Sequence, residues 1–310
     1  MKRVVLALGG NALGNNLEEQ VVAVKSAAKA IADLVEAGLE VVVAHGNGPQ
    51  VGMLSLAFAT AQKADDSFFH IPLPVCIAMT QGYIGSDIQN AVREELLSRN
   101  INKPVATVVT HTLVDGNDPA FSNPTKPIGA FYTKEEADEM TKQGYDMVDD
   151  AGRGWRQVVA SPKPIGIVET ETVRTLLEAG QLPIAVGGGG VPVKKVDGNH
   201  LESVAAVVDK DFASAKLAEE LDADMLIILT AVEWVALNFQ KPDQVDLSTL
   251  TVAESEKYIP EGHFWPGSML PKVQGAVSFV RTGKDRKALI TLLTKASDGI
   301  KGKTGTIITN

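Results

Sequence analysis

"EVVVAHGNG", residues 40–48, decides the fold. The apolar run has strand length and no polar alternation, which marks a strand buried on both faces. It ends in two glycines, and a helix is predicted to begin near Pro49, where proline is tolerated because the first N–H needs no partner. The same plan recurs along the chain. "VVLALGG" (4–10) precedes a helix predicted from about Glu18 to Ala37. "KPVATVVT" (103–110) follows a helix predicted around Gly82 to Ser98. "LPIAVGGGG" (182–190) and "ADMLIILT" (223–230) are further strands, and "GTIIT" is a last one. Strands alternating with amphipathic helices imply an α/β fold with a parallel sheet covered on both faces. Ligands bind such sheets beyond the carboxyl ends of the strands.

Residues 115–165 break this rhythm. "DGNDPAFSNPTKPIG", "KEEADEMTKQG" and "DDAGRGWRQVVASPKP" are rich in Asp, Gly, Asn, Pro and Lys, yet contain a helix pattern and a short strand pair. Phe131, Tyr132, Tyr145 and Trp155 give this insertion something to pack. It reads as a folded, inserted subdomain over a site.

The 310 residues suffice for a large α/β domain, with 45% hydrophobic and 22% charged residues as in soluble globular proteins. A net charge of −9 argues against a nucleic-acid partner, which needs a basic surface. The single cysteine, Cys76 in apolar "LPVCIAM", leaves no disulfide framework and fits a reducing cytoplasm. The apolar run of "MKRVVLALGG" is too short for a signal peptide or membrane span.

Several chemistries lack their residues. "HGNGPQVG" (45–52) brushes against a dinucleotide fingerprint, but no acidic residue closes the next strand as that fingerprint requires. "GKT" (302–304) has no helix behind it and no leading glycine, so it is not a Walker loop. Five histidines, at 45, 70, 111, 200 and 263, show no metal-ligand spacing. His45 is expected to orient its loop. A G-x-S-x-G nucleophile elbow is absent.

What remains points to an oxyanion. "LGGNA" (8–12), "HGNGPQVG" and "GGGG" (187–190, with Gly188 and Gly189) place flexible turns at three strand ends. Backbone N–H groups there can surround a phosphate. Three lysines stand in rigid settings: Lys126 between Pro124 and Pro127, Lys210 at a helix start in "VVDKDFASAKL" (207–217), and Lys272 after Pro271. Phosphoryl transfer needs such cations and held substrates more than covalent help.

These segments together resemble the carbamate kinases, a branch of the amino-acid kinase superfamily. The likeness is carried by "ALGGNAL" (7–13), "HGNGPQVG", "DPAFSNPTKPIG" (118–129), "DAGRGWRQVVASPKP" (150–164), "VGGGGVPV" (186–193), "VVDKDFASAKLAEEL" (207–221), "DMLIILTAVE" (224–233) and "HFWPGSMLPKV" (263–273), in order over essentially the whole chain. Ala7 stands where many relatives in the wider superfamily carry a lysine, which matches the narrower branch.

The resemblance implies a three-layer αβα sandwich with a mainly parallel central sheet, a protruding lid subdomain at 115–165, and a homodimer. Residues 1–190 would form a carbamate lobe and 191–310 a nucleotide lobe. The implied reaction is reversible transfer between ATP and carbamate, giving ADP and carbamoyl phosphate, with Mg²⁺. Arginine fermentation and purine breakdown are routes that would use it. By motif, Gly9, Gly10, Asn11, Gly46, Asn47 and Gly48 would hold the carbamoyl and phosphoryl oxygens. Lys126 would reach from the lid, Lys210 and Lys272 would touch the phosphoryl group, and Asp211 would organise the lysines while Asp209 caps the helix. Thr230, Ala231, Val232, Val235, Met269 and Pro271 would line the nucleotide site. Alternatives are a kinase for another small carboxylate, of acetylglutamate or aspartate type, and a non-catalytic sensor of carbamoyl phosphate or nucleotide.

Overall fold

The computed structural model describes residues 2–9, 13–14, 16–150, 152 and 154–310. The chain opens with β1 (Arg3–Leu8), α1 (Leu17–Glu36), β2 (Glu40–His45), α2 (Gly48–Ala64) and α3 (Leu73–Ser98). Next come β3 (Val105–Thr107), β4 (His111–Val114), β5 (Lys126–Tyr132), α4 (Lys134–Lys142), β6 (Met147–Asp149) and β7 (Trp155–Val159). Then follow β8 (Pro164–Ile167), α5 (Thr170–Glu178), β9 (Leu182–Ile184), β10 (Val191–Lys195), β11 (Leu201–Ser203), α6 (Lys210–Glu220) and β12 (Met225–Thr230). The remainder is β13 (Val235–Leu237), β14 (Val245–Leu247), β15 (Thr249–Thr251), α7 (Val252–Tyr258), α8 (Met269–Val280), β16 (Lys287–Leu292), α9 (Ala296–Ile300) and β17 (Thr306–Thr309).

One sheet organises the molecule, in the order β15-β17-β16-β12-β1-β2-β9-β3. Every pairing in it is parallel except β16 with β17. The unbroken apolar runs have a direct cause. Side chains alternate across a strand, and both faces are covered. Val5 and Ala7 of β1, Val42 and Ala44 of β2, and Leu226 and Ile228 of β12 meet α5, α6 and α8 on one face. Val4, Leu6 and Leu8, Val41 and Val43, and Ile227 and Leu229 meet α1 and α3 on the other. The result is an αβα sandwich, as expected.

The differences from expectation are local. "KPVATVVT" divides: β3 joins the edge of the main sheet, while the chain beyond it turns into β4, part of a four-stranded sheet β11-β10-β4-β8. The helix expected from Gly82 begins at Leu73 and takes in "LPVCIAM", since a short apolar run cannot by itself distinguish strand from helix. Within the insertion, β5, β7 and β6 form a sheet of their own. Helix α4 packs against it behind a Thr133–Glu136 capping box.

Candidate active site

The strand ends of the main sheet open into a cleft of about 1120 Å³. Gly9 after β1, Gly46, Asn47 and Gly48 after β2, Gly188 after β9 and Thr230 at the end of β12 line it. Lys126, Gly129 and Arg156 of the insertion form another wall, and Asp209, Lys210, Asp211 and Lys272 a third.

The backbone turns here are demanded by close approach. A Cβ on Gly9 would lie 2.6 Å from the Leu229 carbonyl oxygen. A Cβ on Gly188 would lie 2.1 Å from the Asn47 amide nitrogen. Asn47 leaves the start of α2 uncapped. Its amide instead donates to Thr80 Oγ1 at 2.8 Å, and that hydroxyl donates to the Ile77 carbonyl at 2.7 Å. The first-turn N–H groups of α2, which no helix satisfies internally, therefore stay available at the cleft wall. His45 is fully buried, and its Nδ1 lies 2.9 Å from the Gly46 carbonyl oxygen. Burial pulls its pKa down to about 4, against a smaller upward pull from that hydrogen bond. It orients the loop as a neutral ring, as its sequence setting suggested.

The charged wall is built on the first turn of α6. Asp209 accepts from the Asp211 N–H at 2.8 Å and so caps the helix. The other Asp209 oxygen accepts from the Lys126 ammonium. Asp211 receives Lys210 on one oxygen at 2.6 Å and Lys272 on the other at 3.0 Å. Asp209, Lys210 and Asp211 are all buried. Burial pushes the Asp211 carboxyl up, but Lys210 and Lys272 together outweigh it and hold it well below the ordinary carboxylate range. Burial likewise opposes ionisation of Asp209, and Lys126 is the main influence that keeps it low. Burial pulls the Lys210 ammonium down further than Asp211 restores it. For Lys272, burial is the largest single pull and lowers its pKa, but Asp211 together with Asp209 outweighs it, so its pKa rises. Three ammoniums against two carboxylates leave one net positive charge on this wall, preorganised for an anion, while Glu18, Asp150 and Arg156 also line the cleft.

The expected lysines and Asp211 are thus brought together from three parts of the chain. Gly10 and Asn11 lie outside the described residues. Gly189 stands behind the lining, where a Cβ would meet the Val208 carbonyl oxygen at 2.1 Å. Of the expected nucleotide residues, Thr230 lines the cleft. Val235 does not, because it is wholly buried in the core with its N–H held by Thr306 Oγ1 at 2.8 Å. Ala231 is exposed and Val232 half-buried just past Thr230, and Met269 and Pro271 are half-buried at the start of α8. Gly267 and Ser268, directly before α8, line the cleft instead.

Sequence reasoning missed the second bond of Asp209. It also missed Arg156, which donates to the Gly129 carbonyl at 2.9 Å and lies over the Phe131 ring at 5.1 Å. Gly52, the last glycine of "HGNGPQVG", has a packing role. A Cβ there would lie 2.2 Å from Gly129 Cα, so α2 touches β5 backbone to backbone.

Comparison with known proteins agrees with this geometry. The model of the Amino acid kinase family matches residues 2–291. The chain is 61% identical to the carbamate kinase-like protein YqeA of Escherichia coli over 307 residues, 99% of each chain. It is 52% identical to a carbamate kinase of Clostridium perfringens over 312 residues, again 99% of each. The solved structure of carbamate kinase from Giardia lamblia bound to AMP-PNP superposes with a TM-score of 0.88 at 41% identity, covering 99% of this chain and 98% of that one. A cleft at the carboxyl edge of a parallel sheet, walled by lysines held on buried aspartates, is thus found in a chain that belongs to the amino acid kinase family, in its carbamate kinase branch.

Proposed function

We propose that the chain is a carbamate kinase, transferring a phosphoryl group reversibly between ATP and carbamate to give ADP and carbamoyl phosphate. The observation that carries this reading is Asp211 shared by Lys210 and Lys272 at the cleft. Carbamate is an anion near neutral pH, so its attacking oxygen has no proton to lose. Its oxygen bonds to the γ-phosphorus as the bond from phosphorus to the ADP oxygen breaks. The chain's part is positioning and charge neutralisation. Gly9 and the start of α2 would hold the acceptor, Lys210, Lys272 and Lys126 the migrating group, and Thr230 with the residues before α8 the nucleotide.

The Giardia enzyme was solved bound to AMP-PNP, which supports a nucleotide as a substrate of this chain. Among the described residues no group of three or more His, Cys, Asp or Glu could hold a metal, and both aspartates are engaged by lysines. Mg²⁺ would therefore enter with the nucleotide, held by phosphate oxygens and water. The lobes would divide at about residue 190, and residues 115–165 would serve as a lid that keeps water from the product. We further propose a cytoplasmic homodimer; no described helix is long and apolar enough to cross a membrane.

The test is ATP formation from ADP and carbamoyl phosphate, with acetyl phosphate as control donor. Rapid ATP formation from the first alone is expected. Equal use of acetyl phosphate, or no use of carbamoyl phosphate, overturns the reading.

A further inference from the structure

The insertion is fastened to α6 at its base. Thr125 N–H donates to the Val159 carbonyl at 3.2 Å, closing the base, and Val207 N–H donates to the Ala160 carbonyl at 2.9 Å. That second bond ties the returning strand to the run that leads into α6. Two lysines flank the base, Lys126 at its start and Lys163 just beyond its end. Both reach the first turn of α6. Lys126 takes the Asp209 carboxylate, and the Lys163 ammonium lies over the face of Phe212, 3.0 Å from the ring centroid.

Asp209 and Phe212 are three residues apart and so lie on one side of the turn. Lys210 and Asp211 lie between them in sequence, and Asp211 accepts from both Lys210 and Lys272. A single helical turn thus presents one side to the lid and another to the reacting group. Lys163 is itself held in place, because its N–H donates to Asp118 at 3.0 Å. An unengaged surface lysine keeps its ammonium in water; this one is laid on an aromatic face. Burial pulls its pKa down, with Asp209 and Asp118 pulling back and Lys126 adding to the fall.

We propose that Lys163 and Phe212 form a cation–π pin that sets the seat of the lid and thereby aims Lys126 at the cleft. Both are positioning residues that act through Lys126. The proposal rests on the phosphoryl-transfer reading for its kinetic consequence, but not for its structural one.

The experiment uses the full chain with Lys163→Met, Lys163→Arg, Phe212→Leu and the Lys163→Met/Phe212→Leu double variant. Two quantities are read: kcat and KM for ATP formation from ADP and carbamoyl phosphate, and hydrogen exchange of amides in Lys126–Val159 without substrates. Lys163→Met and Phe212→Leu should each lower kcat about tenfold with the ADP KM little changed, and speed exchange in the lid. Lys163→Arg should restore both, since a guanidinium also stacks on a ring. The double variant should be no worse than either single one. Wild-type kcat and exchange in both single variants, no rescue by arginine, or additive losses would each overturn the pin. If Phe212→Leu does not fold, the substitutions at Lys163 decide. If the wild-type chain makes no ATP from carbamoyl phosphate, the functional reading fails, and hydrogen exchange still decides the pin.

Discussion

Lys210 and Lys272 share a single carboxylate: their ammonium nitrogens lie 2.6 and 3.0 Å from the two oxygens of Asp211. One lysine follows the N-cap of α6 and the other sits in the first turn of α8, so the carboxylate fixes two cations and two helices at once. In Asp211→Asn the amide can accept from only one lysine and presents N–H groups to the other. Loss of at least ~10² in kcat is expected, by analogy with removal of a preorganised donor. Asp211 is ionised far below neutrality, so no limb of the pH–rate profile near pH 7 should come from its own titration, and an acid limb there should survive the substitution. Disappearance of a limb there would show that Asp211 acts as a base.

Removing either cation proposed to hold the migrating group should act on turnover. Lys210→Ala and Lys126→Ala are each expected to cost at least ~10² in rate, measured by steady-state kinetics on protein shown to be folded by circular dichroism. Near-normal turnover by Lys210→Ala would remove it from the site.

His45 sets an acid limit on stability. Its pKa falls from 6.5 to about 4 on folding, so between those values the unfolded chain binds the proton and the folded one does not. The stabilisation is complete above pH 6.5 and is lost as pH falls to about 4, amounting to about 3 kcal/mol. His45→Asn keeps an N–H for the Gly46 carbonyl but does not titrate. Urea unfolding from pH 7 to 4 should show a shallower loss for this variant. Parallel curves would exclude the histidine as the cause.

Gly52→Ala tests the contact between α2 and the insertion. The new methyl would lie 2.2 Å from the Gly129 backbone, and overpacking of this kind typically costs about 1–3 kcal/mol. A fall in Tm with a fall in kcat is expected, because Lys126 is on the strand that must move. A variant as stable and active as the parent would mean that the two elements separate freely.

Cys76 should be silent. It is fully buried, and burial pushes its thiol up despite a weaker opposing hydrogen bond. Thiol reagents are expected to leave the native protein unmodified and its activity intact, with one thiol appearing in denaturant. Rapid native labelling at Cys76 would contradict the packing of α3.

The strands at 4–8, 40–45 and 225–230 were legible because burial on both faces leaves an apolar run with no polar break. The short edge strand β15 was not, since three residues carry no periodicity; β16 was also missed, although its run is apolar. The cations gathered at the cleft were legible from rigid neighbours and the family likeness, and so was the division between Asp209 as cap and Asp211 as partner of lysines. The bond between Lys126 and Asp209 was not, because it joins residues 83 apart that only the topology brings together. Val235 was expected at the nucleotide site because the family likeness placed it there by motif; it is wholly buried in the core instead.

The pairing of β1 with β12 has a consequence for synthesis. Arg3 N–H donates to the Asp224 carboxylate 221 residues away, at 2.7 Å, beside a ladder that joins Val4 to Met225. The first strand made therefore waits for a partner that leaves the ribosome only when most of the chain has been translated. Until then β1 offers an open edge, the kind that recruits other chains. Residues 1–190 and 191–310 are thus not two folding units. A fragment ending near residue 190 would lack β12 and β16 on one side of β1 and the helices α6 and α8 that cover its face. The centre of the sheet is sealed by the carboxyl-terminal half of the molecule, and the nascent protein becomes a kinase and a safe solute at the same moment.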